Sequence, residues 1–190
     1  MEQNKDGSTT VDTAAERARA AVTNIGKTTP VNVTGATKEA SEGEIRQLLE
    51  EFADAIRSGK IEDIMSFYDP GLIAFDVVPP LRFTNANEYR KNWETQFTSK
   101  MQFPVSYEFS EEKLQVDGDL GVFHALIHTA GTIKEPQQGE PKEMDCWGRY
   151  TCVLKKMNNR WRIFHEHFSV PVAEDGKALM NLKPGYQVSH

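Results

Sequence analysis

The sequence predicts an α+β domain in which three N-terminal helices pack on a strongly curved antiparallel sheet. Apolar residues recur with the helical period between residues 41 and 98, and from residue 105 onward they alternate with the period of strands. The helical region precedes the long strands instead of alternating with them, which argues against a doubly wound parallel sheet.

The first helix is expected in "SEGEIRQLLEEFADAIRSG". Ser41 followed by Glu44 has the spacing of a capping box, which satisfies two otherwise orphaned backbone donors. Ile45, Leu48, Leu49, Phe52 and Ile56 fall on one face, and Gly59 suits the left-handed residue that ends a helix. A shorter helix follows in "IEDIMSFY" and is stopped by "DPG" at 69–71. "LIAFDVV" reads as a strand ended by Pro79 and Pro80, with "LRFT" as a short return strand. "NANEYRKNWETQFTS" is the third helix: Asn85 and Glu88 supply its start, and Tyr89, Trp93 and Phe97 repeat along one face. Four long strands then follow in "VSYEFSEEKLQV", "LGVFHALIHTAGTI", "EMDCWGRYTCVLKK" and "RWRIFHEHFSVP", separated by turn signals at 117–119 and 157–159 and by the loop "KEPQQGEPK".

Ahead of this domain, residues 1–40 contain no aromatic residue and only scattered aliphatics. Such a segment buries too little apolar surface to offset its ordering entropy, so a disordered or partly helical tail is expected, with a short helix over Val11–Val22. It lacks the basic start and apolar run of a secretory signal, and no later stretch is apolar for long enough to span a membrane. The expected organisation is a tail over 1–40, the domain over 41–172 and a C-terminal extension over 173–190. The formal charge of the 190 residues is −6, with both signs interspersed. An acidic chain without a basic stripe does not suit nucleic acid, where phosphate neutralisation dominates affinity. Cys146 and Cys152 on one extended strand would be about 20 Å apart, beyond bridging distance, which fits a reduced, cytoplasmic protein.

The element order together with "FYDPGLIAFDVVPPLRF", "YRKNWE", "CWGRYTCVLKK" and "RWRIFHEHFSVP" resembles the SnoaL-like branch of the NTF2-like, ketosteroid-isomerase-like superfamily over residues 41–172. The resemblance implies a half-open cone with a pocket between the sheet's concave face and the helices. It also implies a homodimer formed by the exposed faces of the last strands. It does not decide activity, because that superfamily holds isomerases, polyketide cyclases, dehydratases, hydrolases and non-catalytic association domains.

Candidate site residues are therefore read one by one. Asp76 stands among Ile73, Ala74, Phe75, Val77 and Val78, where apolar surroundings would raise its pKa and suit it to acid–base work. Its plainer reading is a strand-end Asp bonded to backbone or to Arg82. Phe52 stands where the isomerases would place an oxyanion-hole Tyr, and the late strands offer His, Arg and Trp instead of a second buried acid. Steroid isomerisation itself is therefore not expected. His124 and His128 share a strand face with Val122 and Leu126; His165 and His167 share one with Trp161, Ile163 and Ser169.

The register of the last hairpin decides their neighbours. A two-residue loop at Asn158–Asn159 pairs Cys152 with His165 and Tyr150 with His167. A three-residue loop at Met157–Asn159 pairs Thr151 with His165, Arg149 with His167 and Trp147 with Ser169. The second is preferred, since it gathers Trp147, Arg149, Thr151, His165, His167 and Ser169 on one polar-aromatic cavity wall. Metal binding by the HxH pair is the lesser reading, because HExxH and helical Glu-x-x-His are absent and Glu166 points to the opposite face. Arg149 could instead pair only with Asp145 or Glu166, and Trp147 could simply fill the core, as could Tyr89, Trp93 and Phe97.

These readings predict a small-molecule-binding protein, a cofactor-free and metal-free acid–base enzyme that isomerises, dehydrates or cyclises an apolar carbonyl compound. Asp76 is the expected base, His124 or His165 the acid, and Arg149 the stabiliser of negative charge. Trp147, Tyr89, Trp93, His167 and Ser169 would contact substrate. The alternatives are a non-catalytic binding or association module, and metal-dependent chemistry at the histidines. An apolar small molecule and a second copy of the chain are the expected partners, without nucleic acid or membrane.

Overall fold

A computed structural model describes residues 35–134 and 142–186. The expected helix at Val11–Val22 and most of the "KEPQQGEPK" loop lie outside these residues.

Helix α1 runs Gly35–Ser58 and buries Ile45, Leu49, Phe52, Ala53 and Ile56, the stripe the periodicity indicates. Its start differs from expectation: Ser41 lies inside the helix, and Glu44 serves a tertiary role. The Glu44 carboxylate takes hydrogen bonds from Lys156 Nζ at 2.7 Å and Trp161 Nε1 at 2.8 Å, tying the helix to the last hairpin. Gly59 has φ +70°, the left-handed conformation expected at this helix end.

Helix α2 (Ile61–Ser66) leads into strand β1 (Tyr68–Phe75). The strand stops one residue before Asp76, and the expected return strand is reduced to a single bridge between Ala74 and Phe83. Helix α3 (Ala86–Asn92) is capped by Asn85, whose Oδ1 accepts from Glu88 N at 2.9 Å. It continues as a π-helical stretch over Trp93–Thr98.

Strands β2 (Ser106–Asp117), β3 (Leu120–Ile133), β4 (Lys142–Met157) and β5 (Arg160–Ser169) follow. The sheet order is β1-β5-β4-β3-β2, with β2 to β5 antiparallel in sequence and β1 parallel to β5. The curved, unclosed sheet is therefore mixed, not wholly antiparallel. Parallel pairing needs a long crossover, and α3 with three strands supplies one between β1 and β5.

The β4–β5 hairpin turns through the two-residue loop at Asn158–Asn159, not the preferred three-residue loop, and keeps that register only as far as the Leu154–Ile163 pair. Asn158 and Asn159 have φ of 50° and 62°, the positive values a two-residue primed turn requires, and Met157 faces Arg160. The register then shifts between the Val153–His165 and Leu154–Ile163 pairs, leaving Phe164 as an extra residue. Beyond this bulge Thr151 faces His167 and Arg149 faces Ser169. The bulge moves His165, His167 and Ser169 off the face that carries Trp161 and Ile163. Those two pack into the core, and the inward positions continue through Glu166 and Phe168.

The core lies between α1 and the concave face, where Phe123, Ala125, Tyr150, Cys152 and Leu154 are buried. Cys146 and Cys152 both lie on β4 and are free thiols, as the strand spacing requires. Gly148 also faces inward, and a Cβ placed there would collide with the Phe168 ring. Gly148→Ala should cost about 1–3 kcal/mol through overpacking, read from the urea unfolding midpoint. An unchanged midpoint would mean that Phe168 does not pack over Gly148.

Candidate active site

A cavity of about 230 Å³ opens between the concave face and the α3 end of the fold. Its walls are mainly apolar, with Phe52, Trp93, Phe97, Ile127, Met144 and Phe168 contributing. The π-helical stretch turns Trp93, Gln96 and Phe97 toward it, and such turns are uncommon elements that concentrate at functional sites. Val77 and Met180, 43% and 42% exposed, mark the mouth. Met180 is held there by a backbone hydrogen bond of 2.6 Å from Trp147 N to its carbonyl, so the C-terminal extension returns to the sheet.

Among the described residues two carboxyl groups line this space. Asp76, just past the end of β1, accepts on Oδ2 from Tyr89 OH at 3.0 Å and Asn92 Nδ2 at 3.1 Å, and on Oδ1 from Val77 N at 2.6 Å. Burial raises its pKa, and these hydrogen bonds oppose the rise without cancelling it. Glu166 is only 2% exposed. Its Oε2 accepts from Tyr68 OH at 2.9 Å and Tyr150 OH at 3.0 Å. Burial pushes Glu166 up to about 7; the Tyr89 and Tyr68 hydroxyls pull it down, while the charge of Asp76 adds to the rise. Burial also keeps Tyr68, Tyr89 and Tyr150 well above the usual phenol range, so they remain hydrogen-bond donors. Tyr89 acts on both carboxyls. The arrangement can hold one proton on Glu166 while Asp76 is ionised, the division of labour that acid–base chemistry needs.

The structure brings Asp76, Tyr89 and Trp93 to the cavity. It places His124, His128, Trp147, Arg149, His165, His167 and Ser169 on the outer face. Trp147, Arg149, Thr151, His165, His167 and Ser169 do share a face, but the alternate residues Cys146, Gly148, Tyr150 and Cys152 are the buried, inward ones. There His128 Nε2 lies 2.7 Å from Asp145 Oδ1, and its ring stacks on Trp147 with centroids 4.5 Å apart. His165 Nδ1 lies 2.9 Å from the Ile73 carbonyl, and Arg149 Nη2 donates to the Val170 carbonyl at 3.0 Å. His167 packs edge-on against Phe75. Among the described residues no group of three or more His, Cys, Asp or Glu is placed to hold a metal ion.

Glu166 is the site residue that sequence reading passed over. Tyr68, Tyr89 and Tyr150 have polar chain neighbours, so only the fold shows that these three buried phenols, which require an acceptor, converge near it.

The family model for the SnoaL-like domain matches residues 45–173. The chain belongs to the SnoaL-like family. Among solved structures, an NTF2-like protein of unknown function from Pseudomonas putida KT2440 is 29% identical with a TM-score of 0.65, over 77% of this chain and 98% of that one. A proposed dehydratase of the NTF2-like family from Streptomyces avermitilis shares the fold at 14% identity and TM-score 0.61, covering 72% and 100% of the two chains. The association domain of C. elegans CaMKII does so at 14% identity and TM-score 0.56, covering 70% and 98%. A search of curated proteins found no match. None of the helices among the described residues is long and apolar enough to cross a membrane.

Burial of Glu166 makes stability of this SnoaL-like domain pH-dependent in a defined direction. Its folded value of about 7 lies above the ordinary 4.5, so the folded protein holds an extra proton between those values. That contribution is fully present below about 4.5 and is lost as pH rises through about 7. Urea titrations at pH 5 and pH 8 should show a smaller loss of stability for Glu166→Gln than for the parent, by on the order of 1–3 kcal/mol. Equal losses would place the carboxyl in a solvated setting.

Proposed function

We propose that this SnoaL-like protein is a cofactor-free acid–base enzyme that isomerises, dehydrates or cyclises an apolar, carbonyl-containing small molecule. Asp76 is the base. Glu166 is the acid, in place of the histidines, and Tyr89 positions both carboxyls. The observation that carries this reading is the pair of cavity carboxyls, both raised by burial, in a space that a purely structural domain would fill with side chains.

The base takes a proton from the carbon beside the substrate carbonyl. The protonated Glu166 then donates a hydrogen bond to the oxygen on which negative charge develops, inside an apolar enclosure that strengthens it. Oε2 is engaged by Tyr68 and Tyr150, which leaves Oε1 to carry the proton.

The test is turnover of cyclic ketones and β-hydroxyketones by purified protein. Asp76→Asn should lower kcat by about 100-fold or more. Activity should fall below the raised pKa of Asp76 and again as pH rises through about 7, where Glu166 loses its proton. Glu166→Gln should remove that alkaline limb. Turnover in Asp76→Asn within a few fold of the parent would end the assignment.

The outer face supports a second, compatible feature. Phe75 and Val122 are 38% and 40% exposed there, on the side away from the cavity. We take this face to join two copies of the chain, as the family resemblance implies. Light scattering should give twice the 21.5 kDa chain mass, and Val122→Glu should shift it toward the single chain. A parent protein that runs at the single-chain mass at all concentrations would exclude this.

A further inference from the structure

Among the described residues the cavity lining carries two carboxyls and no counter-charge: it includes no Lys, Arg or His. Lys100 lies nearby in sequence, but it is exposed and donates to Gln96 Oε1 at 2.7 Å. Arg57 is engaged by Glu50, by Asp54 and by the Tyr107 carbonyl at 3.0 Å. An anionic ligand would meet Asp76 and Glu166 with no group among the described lining residues to neutralise it, and an unpaired buried charge is strongly disfavoured.

Size adds a second limit. An engineered protein cavity of about 150 Å³ lined by apolar side chains accepts benzene. The 230 Å³ here is about one and a half times that, which by the same ratio seats roughly nine non-hydrogen atoms, with further room toward the open mouth. The aromatic side chains Phe52, Trp93, Phe97, Tyr107 and Phe168 in the wall suit the faces and edges of a flat ring system. Polar groups that could orient it include Asp76, Asn92 and Glu166.

We infer that the cavity selects an uncharged, flat molecule of about two fused rings bearing a hydroxyl or carbonyl oxygen, and that it rejects carboxylates, phosphates and four-ring molecules. This rests on the proposed site and names its substrate class.

Equilibrium binding to the full chain tests it, followed by tryptophan fluorescence and calorimetry at pH 7. The probes are 2-naphthol, which is neutral and two-ringed; 2-naphthoate, which carries the same rings and a carboxylate; and testosterone, which is neutral with four rings. The expected result is saturable binding of 2-naphthol at least tenfold tighter than either of the others. In Asp76→Asn, checked for folding by circular dichroism, the naphthol–naphthoate gap should narrow several-fold. Naphthoate or testosterone binding as tightly as 2-naphthol overturns the inference, and so does failure of 2-naphthol to saturate at millimolar concentration. The expected order without turnover of any ketone tried would count against the enzyme reading and leave this one standing. Asp76-dependent turnover of an anionic or four-ring substrate would do the reverse.

Discussion

A carboxyl group buried in a hydrophobic cone is the constraint around which this domain is arranged. Glu166 sits on the concave face of β5 with its Oε2 held by hydroxyls from β1 and β4, the two strands that flank it. A buried ionised carboxylate without a partner would cost several kcal/mol. Here the compensation comes from neutral phenols, which satisfy the oxygen but do not force ionisation. That choice leaves the group titrating near neutrality, where a salt bridge to Arg or Lys would have locked it as an anion.

The tyrosines in turn bind the helices to the sheet. Phe52 of α1 meets Tyr68 of β1 edge-on, with centroids 5.6 Å apart, and Tyr68 meets Tyr89 of α3 at the same distance. The series continues from Tyr89 to Trp93 and on to Phe97 along the π-helical stretch. Each edge-to-face pair adds on the order of 1 kcal/mol beyond area burial. Phe52, Tyr89, Trp93 and Phe97 of this series also line the cavity, so the architecture and the candidate site share most of these side chains. Asp76 enters this set because β1 ends just before it, and Tyr89 then draws it toward Glu166.

The helices, the long strands and the α+β class were legible because each rests on local periodicity. The Tyr89, Trp93 and Phe97 row and the Asn85 cap are short-range patterns, and they appear where the spacing puts them. One exception among local signals is the capping box at Ser41, and another is "DPG" at 69–71, which lies inside β1 instead of ending the second helix. The capping-box glutamate forms a longer-range link to Lys156 and Trp161, and the helix is already formed at Gly35, ahead of Ser41. Tertiary partners displaced a local preference. The parallel placement of β1 beside β5 was not readable either, since strand order depends on contacts between segments nearly a hundred residues apart.

The candidate site divides along the same line. Sequence alone determined that Asp76 is a carboxylate in an apolar setting and that Tyr89 and Trp93 share a helix face, because both facts follow from neighbours in the chain. Which face of β4 and β5 looks into the cavity was decided only in three dimensions. Strict alternation groups His165 and His167 with Trp161 and Ile163, whereas the extra residue Phe164 separates them and carries Glu166 inward. A single-residue bulge reverses every side chain beyond it, and no local pattern announces it. Its position is fixed by the packing of Trp161, Ile163 and Glu166 against the helices and neighbouring strands.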